Sequence, residues 1–198
     1  MKEGDLWPAL REYWHPVALP EEVTDKPLAV RLLGESLAIC RINGEVRAFQ
    51  DLCVHRGTPI SLGWVEGDHI VCAYHGWSYD AKGKCDRIPS IPDNHPIPKK
   101  ACLTAYPAKE AYGLVWVCLS DTPRAPLPEF PQYSDPSFKI FFKQRKLWKC
   151  SAARSIENFV DFGHFAWVHT GILGDRNHPE VPNVEIRREG ESLQFGIQ

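Results

Sequence analysis

Residues 53–77 read CVHRGTPISLGWVEGDHIVCAYHGW, placing Cys53 and His55 in one short loop and Cys72 and His75 in a second, with sixteen residues between His55 and Cys72. Two thiolates and two imidazoles leave a short list: a tetrahedral zinc, or an iron–sulfur cluster in which two His replace two Cys on one iron. Spacing separates the two. Zinc ribbons and fingers favour Cys-x-x-Cys pairs, whereas each loop here gives one Cys and then one His. A two-iron cluster suits that order, because the Cys pair can hold one iron and the His pair the other. Gly57 and Gly76 follow the ligands in each loop, where backbone has to turn tightly and come close to inorganic sulfide. Trp77 either shields one side of the site or is an ordinary core aromatic.

The stretch resembles the Rieske 2Fe-2S motif, Cys-x-His followed after a gap by Cys-x-x-His, at all four ligand positions. Rieske proteins of respiratory complexes carry an extra Cys in each loop that forms a disulfide; those positions hold Thr58 and Tyr74. The resemblance is therefore to the low-potential oxygenase and ferredoxin branch, with few hydrogen bonds to the sulfurs and a potential near about −150 mV.

Outward from this stretch, 198 residues with 43% hydrophobic and 24% charged side chains are enough for one large or two small globular domains. A formal net charge of −2 argues against nucleic acid as a partner. No membrane span is visible, and the start MKEGDLWPAL lacks the apolar core of a secretory signal, so the expected location is cytoplasmic. Cys40, Cys85, Cys102, Cys118 and Cys150 then read as free thiols, with Cys40 and Cys118 as small buried hydrophobes.

Residues 5–16 hold a short helical turn broken by prolines. LAVRLLGESLAICRINGEVRAFQD (28–51) reads as three strands with turns at Gly34 and Asn43-Gly44, the latter a strong hairpin signal. HIVCAYHGWSYD enters and leaves the second loop in extended form, and His69 has no partner at ligand spacing. Four prolines in residues 89–98 suit an irregular wrap. LTAYPAKEAYGLVWVCLSD adds two strands. Residues 1–122 thus form an all-β domain of antiparallel sheets with two cluster-binding hairpin loops. Five prolines over residues 123–136 make a stiff connector. FKIFFKQRKLWK then opens a new sheet, its Lys139, Lys143, Arg145, Lys146 and Lys149 forming a solvated face.

SIENFVDFGHFAWVHTG (155–171) reads as a helix capped by Ser155 and carrying Asp161, His164 and His169. On a straight helix the two His lie about 140° apart, so a shared metal requires a bulge or an end near Gly163. The segment resembles the mononuclear iron motif of Rieske non-haem iron oxygenases, Asp-x-x-His-x-x-x-x-His. The whole chain is similar to the α subunits of the aromatic ring-hydroxylating dioxygenases and O-demethylases.

That resemblance implies an α+β chain in which residues 137–198 begin a helix-grip (START-like) catalytic domain. It implies a 2Fe-2S cluster on Cys53, His55, Cys72 and His75, Fe(II) on His164 and His169, and Asp161 as a bridge from an iron ligand to a cluster His of the adjoining subunit of a homotrimer. Electrons would come from NAD(P)H through a flavin/iron–sulfur reductase or a ferredoxin, and O2 would be used to hydroxylate or O-demethylate a small organic substrate. The family's third iron ligand is a distant Asp; Asp175, Glu180, Glu185, Glu189 and Glu191 come too early to match it, which suggests a truncated chain. The rival reading is a Rieske ferredoxin that only carries electrons, against which Asp161, His164 and His169 argue.

Overall fold

Strand β3 (Glu35–Ile42) is buried on both faces, and its period-2 alternation divides the core in two. Ala38, Cys40 and Ile42 point into one core with Phe49, Ile60, Ile70 and Tyr79; Leu37 and Ile39 point into the other with Val17, Val115 and Val117. The computed structural model describes residues 7–92, 94–141, 148–181, 183–190 and 192–196. Its contacts divide into two compact units, 1–143 and 144–198.

In the first unit a helical turn, α1 (Trp7–Leu10), precedes β1 (Trp14–Ala18). Strands β2 (Leu28–Leu32), β3, β4 (Glu45–Gln50) and β9 (Ala105–Tyr106) form the middle sheet in that order. On one side lies the sheet of β1, β11 (Leu114–Cys118) and β10 (Ala108–Ala111). On the other lies the sheet of β5 (Trp64–Glu66), β6 (His69–Val71), β7 (Ser78–Tyr79) and β8 (Cys85–Arg87). All pairings are antiparallel. Two-residue turns explain the meander: Asn43 and Gly44 both have positive φ, at 54° and 78°, the type I′ geometry that matches strand twist. Burying side chains such as Phe49 and Leu37, both at 0% exposure, contributes roughly 1.5–3 kcal/mol each. The β2–β3–β4 reading and the buried state of Cys40 and Cys118 agree with the structure.

The proline-rich stretch is strapped down rather than free-standing. Phe130 packs edge-on against Tyr112 and stacks near Trp116, Tyr133 meets Tyr112, and the Arg124 N–H donates to the Glu12 carbonyl.

In the second unit Ala152–Val160 forms helix α2, and Phe165–Val168 forms the single turn α3. Ser151, not Ser155, caps α2, its hydroxyl accepting from the Arg154 N–H at 3.2 Å. The helix expected to run on to 171 stops at Asp161, which has left helical geometry at φ −89°, ψ 102°. Strands β12 (Glu185–Glu189) and β13 (Ser192–Gly196) pair as the expected hairpin. The sheet expected from 138 onward has no strand over 138–141 or 148–149; residues 142–147, with Lys143, Arg145 and Lys146, and also Glu191, lie outside the described residues.

Candidate metal centres

The two cluster loops share one backbone design. In the first, the Cys53 N–H donates to the Thr58 carbonyl and the Gly57 N–H to the Cys53 carbonyl, both at 2.8 Å; in the second, Cys72 pairs with Trp77 and Gly76 with Cys72, both at 2.9 Å. Each loop closes through a glycine four residues after its Cys, with φ of +73° at Gly57 and +67° at Gly76. An added Cβ at Gly76 would press on Pro89 at 3.1 Å. The second loop tips the β6–β7 hairpin, while the first carries the chain from β4 in the middle sheet toward β5 in the outer one.

These loops bring all four predicted ligands together. Cys53 and Cys72 are each 2% exposed, while the His55 and His75 rings stand at the outer side with centroids 4.6 Å apart. Among the described residues no three His, Cys, Asp or Glu side chains converge on one ion-sized point. The donors come instead as a buried sulfur pair and an outer nitrogen pair, which suits two irons and not one zinc. His55 is held toward its neutral, ligating form by desolvation and by the charges of His75 and Arg56. Burial pushes the Cys72 thiol up, opposed by the N–H groups of Tyr74 and His75 that point at its sulfur. A bound iron supplies the positive charge that makes such a thiol a thiolate.

The aromatic residues around the site are ordered. Trp77 stacks on His55 at 4.4 Å and 6° between planes while also packing against the core, and Tyr74, 63% exposed, lies against His75 at 3.9 Å. Tyr79 was not singled out from sequence, yet its hydroxyl lies 3.1 Å from Cys53 Sγ in the core. Tyr79 lies on β7, and Trp77, just before that strand, packs against the same core. Burial, first, and the neighbouring thiols raise the Tyr79 pKa, keeping it a donor to a ligated sulfur.

In the second unit the break after α2 solves the helix-phase problem. His164 caps the start of α3 and His169 its end, and their ring centroids are 5.2 Å apart, close enough for both imidazoles to reach one ion at ligand bonds of about 2.1 Å. Asp161 sits at the C-terminal end of α2, where the helix dipole disfavours a carboxylate, so the dipole does not account for it there. Its Oδ1 accepts from the Gly163 N–H at 3.0 Å, and its Oδ2 lies 3.3 Å from His164 Nδ1. The latter contact is not an aligned hydrogen bond, since buried Nδ1 has no hydrogen-bond partner among the described residues. A ring with one nitrogen aimed at a carboxylate presents the other to a metal.

Residues 13–107 match the Rieske [2Fe-2S] domain, and residues 148–196 match the vanillate O-demethylase oxygenase C-terminal domain. The first unit is therefore a Rieske iron–sulfur domain. The chain as a whole belongs to the Rieske non-haem iron oxygenases. It is 39% identical over 193 residues to methylxanthine N1-demethylase NdmA of Pseudomonas putida, covering 94% of this chain and 55% of that protein. It is 30% identical to the vanillate O-demethylase oxygenase subunit of a Pseudomonas species, covering 91% of this chain and 50% of the relative. The structure of Pseudomonas putida NdmA with caffeine superposes with a TM-score of 0.88 at 37% identity, over 98% of this chain and 58% of that one. The chain thus spans little more than half the length of these relatives.

Proposed function

We propose that this chain is the electron-receiving and iron-binding part of an oxygenase component that removes a methyl group from, or hydroxylates, a small planar organic substrate. The observation that carries it is the break between α2 and α3, which sets His164 and His169 5.2 Å apart beside Asp161 in a chain that also holds a complete cluster site. A pure electron carrier has no use for that second pair.

Cys53, Cys72, His55 and His75 would hold the 2Fe-2S cluster, and His164 and His169 would give two of three ligands to Fe(II), a carboxylate completing the facial set. When bound, the cluster would supply single electrons and the iron an open coordination site for O2. The chain's own residues hold His55 toward its neutral form, cover that ring with Trp77, and aim Asp161 at His164. Asp161 would also bridge to a cluster His of a neighbouring copy, within a homotrimer fed by a reductase or ferredoxin from NAD(P)H. Residues 1–122 serve as the Rieske domain, 123–136 as connector and 137–198 as the start of the catalytic domain. No described helix is long and apolar enough to cross a membrane, and a cytoplasmic location fits this electron supply.

Relatives named as N- and O-demethylases favour demethylation over ring hydroxylation. The full-length protein, supplied with a reductase, NADH and methylated xanthines or methoxybenzoates, should release formaldehyde in proportion to NADH consumed. Hydroxylated product without formaldehyde would shift the reading to hydroxylation. NADH-dependent cluster reduction with no product from either class would overturn it.

A further inference from the structure

β7 is two residues long and lies between β6 and β8. Its pairing with β8 is irregular: Ser78 opposes Arg87 and Tyr79 opposes Cys85, which leaves Asp86 as an extra residue. Such a bulge re-aims a side chain. Here the Asp86 carboxylate reaches across β7 to β6, where its Oδ2 lies 2.6 Å from His69 Nε2. The other ring nitrogen, Nδ1, lies 2.5 Å from Asp68 Oδ1.

An ionised carboxylate only accepts hydrogen bonds, and a neutral imidazole donates from one nitrogen only. Both contacts are satisfied together only by the imidazolium; once the proton leaves, one ring lone pair faces a carboxylate. The hydrogen bond to Asp86 chiefly, and the charges of Asp86 and Asp68, raise the His69 pKa above its ordinary 6.5 against the opposing effect of desolvation. The other charged groups on this cleft of about 360 Å³ are Glu66 on β5 and Arg87 on β8. They are of opposite sign, and neither displaces the two aspartates from the ring.

Beneath this bridge β7 carries Tyr79, whose hydroxyl meets Cys53 Sγ, and β6 runs directly into Cys72. We propose that Asp68, His69 and Asp86 form a proton-operated clamp over β7 that couples solution pH to the cluster. The clamp is closed with the ring protonated and loosened when it is neutral. Proton loss removes a positive charge about 10 Å along the strand from Cys72 and frees the strand that positions Tyr79. Both changes disfavour the more negative, reduced cluster, so its potential falls as His69 deprotonates. By linkage, reduction tightens the proton on His69. The clamp's contribution to stability is fully present below pH 6.5 and is lost as pH rises through the raised folded value.

The test uses the full-length, cluster-loaded protein, with midpoint potentials read by visible circular dichroism between about pH 5.5 and 9, the span over which a His is expected to titrate. Wild type is compared with His69→Gln, which keeps a donor but cannot titrate, and with Asp86→Asn. Titration of the cluster's own ligands is common to all three and cancels in the differences. The difference between wild type and His69→Gln should change through one single-proton step above pH 6.5, and Asp86→Asn should move that step to lower pH. A difference that stays constant with pH overturns the clamp while the visible bands keep the cluster assignment standing. The proposal rests on that assignment, and a wild type without visible bands would overturn both.

Discussion

The two proposed metal centres of this chain each draw on a pair of histidines, but the surroundings of the two pairs differ. The cluster site is folded by its immediate surroundings: two self-closing loops, both sulfurs in the core, and every neighbour drawn from the same packed unit. The candidate mononuclear site lies in a unit whose described residues bury little among themselves. Ala166 is the only buried residue among those described in 144–198, and every described position of β12 and β13 is exposed. Ile156 and Phe159 on α2 stand 64% and 65% exposed. A helix break is enough to bring two imidazoles to 5.2 Å, whereas the cluster loops are also held by a packed core around them.

Four substitutions sharpen that contrast. The largest effect belongs to Cys53→Ser, which removes a sulfur ligand from the buried pair. Iron and acid-labile sulfide should both fall to background, together with the visible spectrum; retention of a full cluster would show that another thiol, such as Cys85 with its pKa pushed up to about 11 by burial, had replaced it. Next, His164→Ala should leave the cluster spectrum at wild-type intensity while product formation by the full-length enzyme drops below detection. Loss of both signals together would mean the two sites are not separately built.

A smaller effect is expected for Asp161→Ala, which leaves both irons with their ligands but unties the His164 ring. Transfer from reduced cluster to mononuclear iron should slow by about 10- to 100-fold, the usual cost of losing a ligand's carboxylate partner. Single-turnover kinetics reads this directly, and an unchanged rate would remove the bridging role. The smallest is Tyr79→Phe. One hydrogen bond to sulfur favours the reduced state by about 1 kcal/mol, so the potential should fall by on the order of 40 mV for a one-electron couple. Protein-film voltammetry can resolve that, and no shift would mean the Tyr79 hydroxyl turns away from Cys53 once iron is bound.

The cluster ligands, their glycines and the meander that delivers them were legible in the linear order, because each depends on neighbours a few residues away. Asn43-Gly44 needs only its own backbone to turn, and Cys-x-His with Cys-x-x-His needs only loop length. The helix over Asp161–His169 was legible in content but not in shape: the phase conflict between His164 and His169 demanded a break, while its location at Asp161–Gly163 and the true cap at Ser151 came from the structure.

Contacts across strands were invisible in advance. Tyr79 reaches Cys53 over 26 positions, and Asp86 reaches His69 over 17. His69, read from sequence only as lacking a partner at ligand spacing, is held by two aspartates. Sequence determines which donors a chain owns and the local turns that present them, since those follow from backbone sterics over a few bonds. Only tertiary structure decides which distant side chains meet, because strand register and a single-residue bulge at Asp86 set that, and a shift of one residue would turn every such side chain to the other face.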